Sequence, residues 1–154
     1  MIPSRRLAEL NITLPPVTPP VGSYIPGIRT GNLVLVSGQL PIVSGKLTTA
    51  GKVGADVSIE AAVEAARLAG LNALAIAADT AGGIDCIARI VRLAVFVNSA
   101  PGFTEQPKVA NGASDLMVEI FGESGKHVRA AVGVNELPLN TAVEVELMAE
   151  TRGD

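Results

Sequence analysis

The residues that decide the fold are SIEAAVEAARLAGLNALAIAADTAGG at 58–83 and IARIVRLAVFVN at 87–98. In the first stretch, small apolar residues recur every three or four positions, Ser58 is a suitable N-cap, and two glycines end the pattern. The second stretch is apolar on both of its alternating faces, which is typical of a strand covered on both sides. Together they predict a long helix that packs on a sheet and leads into a middle strand.

Strand patterns lie on both sides of this pair. Residues 24–28 and 32–40 are β-branched and apolar around a Thr-Gly-Asn turn, which predicts a hairpin before the helix. Residues 128–134 and 141–149 show a similar pattern near the C-terminus and predict a second hairpin. A second amphipathic helix is expected before that hairpin, with Thr104 as its N-cap.

The resulting order is strand, strand, helix, strand, helix, strand, strand, which predicts one α+β domain over residues 22–150. Residues 1–21 are expected to form an N-terminal arm with a short helix, capped by Ser4, and a proline-rich segment. Both long helices would lie on one face of a mixed sheet and leave the other face bare. Because the middle strand is apolar on both sides, we expect other subunits to cover that face.

The composition excludes several chemistries. The chain has 154 residues, 48% of them hydrophobic, but no Trp, one His and one Cys. One His and one Cys cannot form a Cys/His zinc site or a disulfide within the chain. A serine or cysteine nucleophile would need His127 as its base, because the chain has no second histidine.

Charge and hydropathy bear on partners and location. The net charge of −3 at pH 7 gives no general attraction for phosphate backbones, so nucleic acid is not an expected partner. The N-terminal residues lack the features of a secretory signal. The longest apolar candidate for a membrane span, residues 68–78, is shorter than the roughly 20 residues that a bilayer requires. We therefore expect a soluble, cytoplasmic protein with no membrane association.

The second predicted hairpin contains the most informative charged residues. Alternation places Glu144 and Glu146 on one face of their strand, and Arg129, close to small residues, on one face of the preceding strand. An antiparallel register that sets Arg129 opposite an even-numbered residue brings it beside one of these glutamates, whereas a slip of one residue sets it against Val145. Arg129 is then either a bidentate ligand for a bound carboxylate or half of an ordinary cross-strand ion pair.

Other polar positions each have two interpretations. Tyr24, the only tyrosine, is either a site residue or a half-buried strand residue. Ser37-Gly38 either permits the close approach of a ligand or another backbone, or marks a simple bulge. Asn111 either reaches a site from the second helix or faces solvent. His127 is expected to be an exposed loop residue without a role.

Three short strings give the sequence a family resemblance. They are GNLVLVSGQLP at 31–41, RAAVGVNELP at 129–138 and VEVE at 143–146. Over about residues 22–149 the chain resembles the YjgF/Rid family, the reactive intermediate (enamine/imine) deaminases. The resemblance implies a chorismate-mutase-like fold, a homotrimer whose sheets pack inward, and ligand sites in the clefts between subunits.

By this resemblance, Arg129 corresponds to the arginine that binds the substrate carboxylate. Glu144 corresponds to the glutamate that positions or activates water. Tyr24 corresponds to an aromatic residue lining the cleft, Ser37 to the serine of the strand motif, and Asn111 to a helix asparagine near the pocket. Gly38 follows that serine and is expected to contact the substrate.

The implied reaction is the hydrolysis of small enamine or imine acids, such as 2-aminoacrylate and 2-iminopropanoate, to 2-oxo acids and ammonium. The imine is already electrophilic, so the reaction requires no metal or organic cofactor. The alternative is a protein that binds a small carboxylate or a partner chain in the same cleft without turnover. The ribonuclease role by which some relatives are named fits the acidic net charge poorly.

The chain departs from the family pattern close to Arg129. Ala131 stands where many members have a cysteine, and His127-Val128 stands where they have Pro-Ala. The N-terminal arm and a longer loop after Pro41 make the chain larger than typical members. These features indicate a longer-chain branch in which the approach to the arginine differs.

Overall fold

A computed structural model describes residues 1–19 and 22–153 of the chain. The expected boundary between arm and domain, at residue 21, lies outside the described residues. Within them the helices are α1 (Pro3–Glu9), α2 (Ile59–Ala81) and α3 (Gln106–Phe121). The strands are β1 (Gly27–Thr30), β2 (Leu33–Gln39), β3 (Ile42–Val43), β4 (Lys46–Leu47), β5 (Ile87–Asn98), β6 (Val128–Val134) and β7 (Val143–Thr151).

The main sheet is mixed and has the order β1-β2-β7-β5-β6, which confirms the predicted α+β class. Strands β1 and β2 form the predicted first hairpin, and β3 pairs with β4 in a small separate ribbon. The predicted second hairpin is wrong. Strand β6 pairs in parallel with β5, and β7 lies between β2 and β5, so β6 and β7 do not pair.

The loop between β6 and β7 explains this difference, because it crosses the end of β5 instead of turning back. Asn98, the last residue of β5, is fully buried. Its Nδ2 donates to Asn140 Oδ1 and to the Thr141 carbonyl, both at 3.1 Å. Leu139 and Asn140 have positive φ angles of 56° and 57°, a backbone conformation that the alternation of strand residues does not reveal.

The helix ends follow the sequence in part. Ser58 caps α2 by accepting the Ala61 N–H at 3.1 Å, and Gly82 ends it at φ 93°, as predicted. The other predicted caps are wrong: α3 begins after Glu105 rather than Thr104, and Ser4 lies inside α1. In both helices a proline in the first turn fixes the start, since its ring favours helical φ and its missing N–H needs no partner.

Helices α2 and α3 cover one face of the sheet and pack closely on each other. Alternate residues Val143, Val145 and Leu147 of β7 are buried beneath them, and the same face of β5 continues this core. Helix α2 has the length and apolar composition of a membrane span, but 61% of its apolar window is buried inside the protein. Its apolar character is therefore explained by its place in the core.

The opposite face of the sheet carries exposed apolar residues. Ile28 is 52% exposed, Leu33 37%, Val128 65% and Val132 43%, and the strand registers place all four on this face. We call it the bare face. Strict alternation along β5 would also place Ile90 on the bare face, but Ile90 is fully buried on the helix side because the register shifts between residues 90 and 92.

The N-terminal arm is held to the domain through Asp85. The Ser4 backbone N–H donates to Asp85 Oδ1 at 2.8 Å, and Ser4 Oγ donates to Asp85 Oδ2 at 2.6 Å. These hydrogen bonds hold the pKa of the Asp85 carboxyl below its ordinary value. Asp85 thus satisfies a free N–H in the first turn of α1 from a distant part of the chain.

Replacing Asp85 with alanine is expected to loosen α1 by about 1 kcal/mol, the usual cost of a lost helix cap. Acidification should act in the same direction: a carboxyl with a lowered folded-state pKa stabilises above its ordinary pKa and loses that contribution as pH falls through the folded value. Hydrogen exchange of residues 3–9 measures the effect. Asp115→Ala on α3 is the control, and equal exchange in both variants would contradict the role of Asp85.

Candidate active site

Arg129 lies on the helix-covered side of the sheet, at its β6 edge. Its register partner on β5 is the fully buried Leu93, so both side chains leave the sheet toward α3. Arg129 Nη1 donates to Asn111 Oδ1 at 2.8 Å and to Ser114 Oγ at 3.1 Å. Both hydrogens of Nη1 are therefore used, and the edge formed by Nε and Nη2 has no hydrogen-bond partner among the described residues.

This arrangement excludes one of the two interpretations of Arg129, the cross-strand ion pair within the chain. Among residues 1–19 and 22–153, no carboxylate oxygen lies within 4 Å of its guanidinium, so the expected ion pair with Glu144 or Glu146 is not formed within the chain. A guanidinium with one nitrogen anchored and the Nε/Nη2 edge open has the fork geometry that binds a carboxylate with two hydrogen bonds. The side chain is exposed, and a ligand can therefore reach it.

Glu144 lies on the bare face, over Gly38. A Cβ on Gly38 would overlap Glu144 Oε1 and lie 2.7 Å from Glu144 Cδ, so the missing side chain provides the space for the carboxylate. The register of β2 against β7 shifts between Val36 and Gln39, which confirms the predicted irregularity at Ser37-Gly38. The close approach that Gly38 permits is therefore that of a glutamate of the same chain.

Ser37 precedes Gly38 in β2, and Tyr24 lies in the segment before β1. The Ser37 N–H donates to the Pro26 carbonyl at 2.8 Å, which ties the segment before β1 to β2. Tyr24 lies two residues before Pro26, outside any strand, and is 63% exposed. The interpretation of Tyr24 as a half-buried strand residue is thus wrong. We call Ser37, Gly38 and Glu144 the glutamate half-site.

The arginine half-site, defined as Arg129, Asn111, Ser114 and His127, does not meet the glutamate half-site within one chain. Glu144 pairs with Phe96 on the bare face, whereas Arg129 lies level with Leu93 on the helix side. Strand β5 separates β6 from β7, so the two residues are about 10 Å apart across the strands, about 10 Å along them, and on opposite faces. The expectation that they are neighbours in a hairpin is wrong.

The shape of the single chain agrees with this separation. Among the described residues, one hollow of about 70 Å³ lies over β2 and β7, and another of about 340 Å³ lies between the arm and α2. Neither is lined by any of the six residues predicted for the site. Arg129 and Glu144 therefore belong to separate half-sites and to neither of these hollows.

Two residues of the arginine half-site were not identified from the sequence. His127 was expected to be exposed and without a role, but it is half-buried and hydrogen-bonded through both ring nitrogens. Ser114 contacts both His127 and Arg129. The spacing of Ser114 three residues after Asn111, on the same helix face, was the available signal.

Burial raises the pKa of the Glu144 carboxyl above its ordinary value, and the negative charge of Glu146 raises it further. The folded protein therefore holds the Glu144 proton more tightly than the unfolded chain. The ionised carboxylate destabilises the fold, and this penalty is absent below the ordinary pKa and complete above the raised one.

Glu144→Gln is accordingly expected to stabilise the protein at pH 7 and to leave its stability unchanged near pH 3. Urea unfolding of the variant and the parent at both pH values measures the difference. Glu136→Gln, in the exposed loop after β6, provides the control. A Glu144→Gln variant that is less stable than the parent at pH 7 would show that the carboxylate has a stabilising partner instead.

The fold and the two half-sites define the class to which the chain belongs. A family model described as "YjgF/chorismate mutase-like, putative endoribonuclease" matches residues 4–151. The chain therefore belongs to the YjgF/Rid family, which confirms the resemblance seen in its sequence. The fold is correspondingly the chorismate-mutase-like fold of that family.

Relatives extend over nearly the whole chain. Protein TCP17 from Trypanosoma cruzi is 44% identical over 147 residues, which cover 94% of this chain and 91% of that protein. The crystal structure of a putative endoribonuclease from Shewanella oneidensis is 39% identical, with a TM-score of 0.91 and coverage of 97% and 99%. RidA from the Antarctic bacterium Psychrobacter is 26% identical, with a TM-score of 0.59 and coverage of 85% and 90%.

Proposed function

We propose that the protein is a hydrolytic deaminase that converts small enamine and imine acids, of the 2-aminoacrylate and 2-iminopropanoate type, to 2-oxo acids and ammonium. The proposal rests on the hydrogen bonding of Arg129. Its Nη1 is held by Asn111 and Ser114, and among the described residues no carboxylate binds its Nε/Nη2 edge. Membership of the family that includes RidA supports the same class of substrate. The carboxylate of the substrate would bind to that edge.

The reaction then needs one water molecule and a group that moves protons. The oxygen of water adds to C2 of the iminium, Glu144 accepts a proton from that water, and the C=N electron pair moves to nitrogen. Glu144 returns the proton to nitrogen, the C–N bond breaks with its electron pair on nitrogen, and the remaining hydroxyl passes its proton through Glu144 to the departing ammonia as the 2-oxo group forms. The products are the 2-oxo acid and ammonium, and the balance requires no oxidant, reductant or cofactor.

The environment of Glu144 suits this role. Its raised pKa, caused first by burial, makes the carboxylate a stronger base than an exposed glutamate and brings its proton exchange closer to neutral pH. Gly38 leaves room for the carboxylate but adds no competing hydrogen-bond donor from a side chain. The rate should therefore fall as pH drops through the raised pKa of Glu144.

A complete site would form between subunits. The half-sites lie on opposite faces of one sheet. A substrate bound to Arg129 therefore cannot reach Glu144 of the same chain. The bare face carries the exposed apolar residues Ile28, Leu33, Val128 and Val132, which association would bury. We infer a homotrimer in which the arginine half-site of one chain faces the glutamate half-site of its neighbour.

The test is 2-oxo acid release from 2-iminopropanoate generated in situ by a serine dehydratase. The proposal expects release faster than spontaneous hydrolysis and in proportion to protein concentration. Binding of pyruvate without any increase in rate would instead favour a carboxylate-binding protein without turnover. Cleavage of RNA that persists at moderate salt would favour a nuclease, and either result would overturn the deaminase assignment.

A further inference from the structure

We propose that His127, acting through Ser114, is a positioning residue for Arg129 and fixes the edge of the guanidinium that receives a carboxylate. The inference rests on the proposed function and extends it to a residue pair that stands outside the family motif. By the resemblance described above, His127 stands where many members of the family have proline.

The hydrogen bonds of His127 have a fixed direction. Its Nδ1 lies 2.6 Å from the Gly125 carbonyl, which can only accept, so Nδ1 carries the ring hydrogen of the neutral imidazole. Its Nε2 is then an acceptor and lies 2.9 Å from Ser114 Oγ. With the imidazole in its neutral form, Ser114 donates its single hydrogen to His127.

This direction determines what Ser114 offers to Arg129. With its hydrogen committed to His127, the hydroxyl presents a lone pair to Arg129 Nη1 at 3.1 Å. Without His127, no acceptor among the described residues would fix the direction of the Ser114 hydrogen. Asn111 Oδ1 holds the second hydrogen of Nη1 at 2.8 Å. Two fixed acceptors thus orient a side chain that otherwise has many rotamers.

The backbone brings His127 to this place. Residues 122–125 form a 3₁₀ turn between α3 and β6. A Cβ on Gly125 would overlap the Met117 carbonyl and lie 2.9 Å from Val118 Cα, so the turn packs directly on α3 only because residue 125 is glycine. His127 follows this turn and lies beside Ser114, which is in α3, before the residues on which Gly125 packs. The pairing is therefore built by close packing and not by a flexible loop.

Two substitutions separate positioning from a merely structural role. In His127→Asn, the amide nitrogen can replace Nδ1 and keep the bond to Gly125, but no atom reaches Ser114. In His127→Gln, the amide can replace Nε2 and accept from Ser114, but the bond to Gly125 is lost. A structural role predicts that Asn preserves function better than Gln, and the proposed role predicts the opposite.

Titration of the full chain with pyruvate, together with thermal unfolding, tests this. We expect His127→Asn and Ser114→Ala each to weaken pyruvate binding about tenfold, the usual effect of losing one hydrogen bond to a charged group. His127→Gln should stay within about threefold of the parent because a neutral acceptor is retained. The double variant His127→Asn/Ser114→Ala should be no weaker than Ser114→Ala alone, because both act through one contact.

Three results would overturn the proposal: parental affinity in His127→Asn, a weaker affinity in His127→Gln than in His127→Asn, or losses that add in the double variant. In the deaminase assay the loss should lie mainly in KM, because the carboxylate is bound in both ground and transition states. Arg129→Ala distinguishes a failure of the proposed function from a failure of the proposed role of His127. If that variant binds pyruvate as well as the parent, the proposed function itself fails. If it loses binding while His127→Asn does not, only the role of His127 is wrong.

Discussion

Arg129→Ala will bind pyruvate at least about 100-fold more weakly than the parent, because two charge-assisted hydrogen bonds to the carboxylate are lost together. Deaminase activity, as kcat/KM, should fall by a similar factor. The fold should remain, since Arg129 is exposed and its hydrogen bonds within the described residues go only to Asn111 and Ser114. Calorimetric titration and thermal unfolding of the same preparations measure the two effects separately.

Two further variants show that the fork geometry, not the charge alone, is required. Arg129→Lys keeps the positive charge but replaces the planar fork with a single ammonium, and we expect an intermediate loss of about tenfold. Arg89→Ala removes an exposed guanidinium from β5 whose bond to the Lys126 carbonyl is long, at 3.5 Å, and should bind as the parent does. Equal affinity of Arg129→Ala and Arg89→Ala would exclude Arg129 from the site.

Gly112→Ala is expected to reduce the free energy of unfolding by about 2 kcal/mol. A Cβ on Gly112 would overlap the Val63 carbonyl oxygen and lie 2.9 Å from Val63 C and 3.2 Å from the Arg67 nitrogen. These are backbone atoms of α2, so the two helices would have to separate. Overpacking of this kind costs about 1 to 3 kcal/mol and outweighs the helix propensity that alanine gains.

The same substitution should disturb the arginine half-site, since Asn111 and Ser114 lie on either side of Gly112 along α3. Urea unfolding and pyruvate titration together report both effects. Val118→Ala, at an exposed position of the same helix, is the control and should change each by little. A stability equal to that of the parent in Gly112→Ala would mean that α2 and α3 have room for a methyl group between them.

Much of the fold follows from local patterns. The N-cap Ser58, the left-handed Gly82 and the apolar strand at 87–98 each act through neighbouring residues, and the predicted bounds of α2 and β5 are confirmed. The pairing of β6 does not follow from such patterns. It depends on the fully buried Asn98, which hydrogen-bonds to the loop where it crosses the end of β5. Strand β7 therefore pairs with the edge of β5 opposite to β6. Alternation within a strand determines its faces but not its neighbours.

The candidate residues could be named from the sequence, but their geometry could not be predicted. Arg129 stood out because the small residues Ala131 and Gly133 share its strand face, and Glu144 because it interrupts an apolar strand. Their separation on opposite faces follows from the parallel pairing of β6 with β5, which no local signal gives. Ser114 lies on α3, 15 residues before Arg129, and the turn packed on that helix brings His127, next to the motif, into contact with it.

Mixing of inactive variants tests the central claim that each complete site draws Arg129 from one chain and Glu144 from another. Arg129→Ala and Glu144→Gln are expected to be inactive separately. After the two are unfolded together and refolded in equal amounts, a random trimer has both residues intact in about one quarter of its clefts. The shared-site account predicts recovery of about one quarter of the parental deaminase rate. No recovery in trimers proven to contain both variants would contradict it and place the reaction within a single chain.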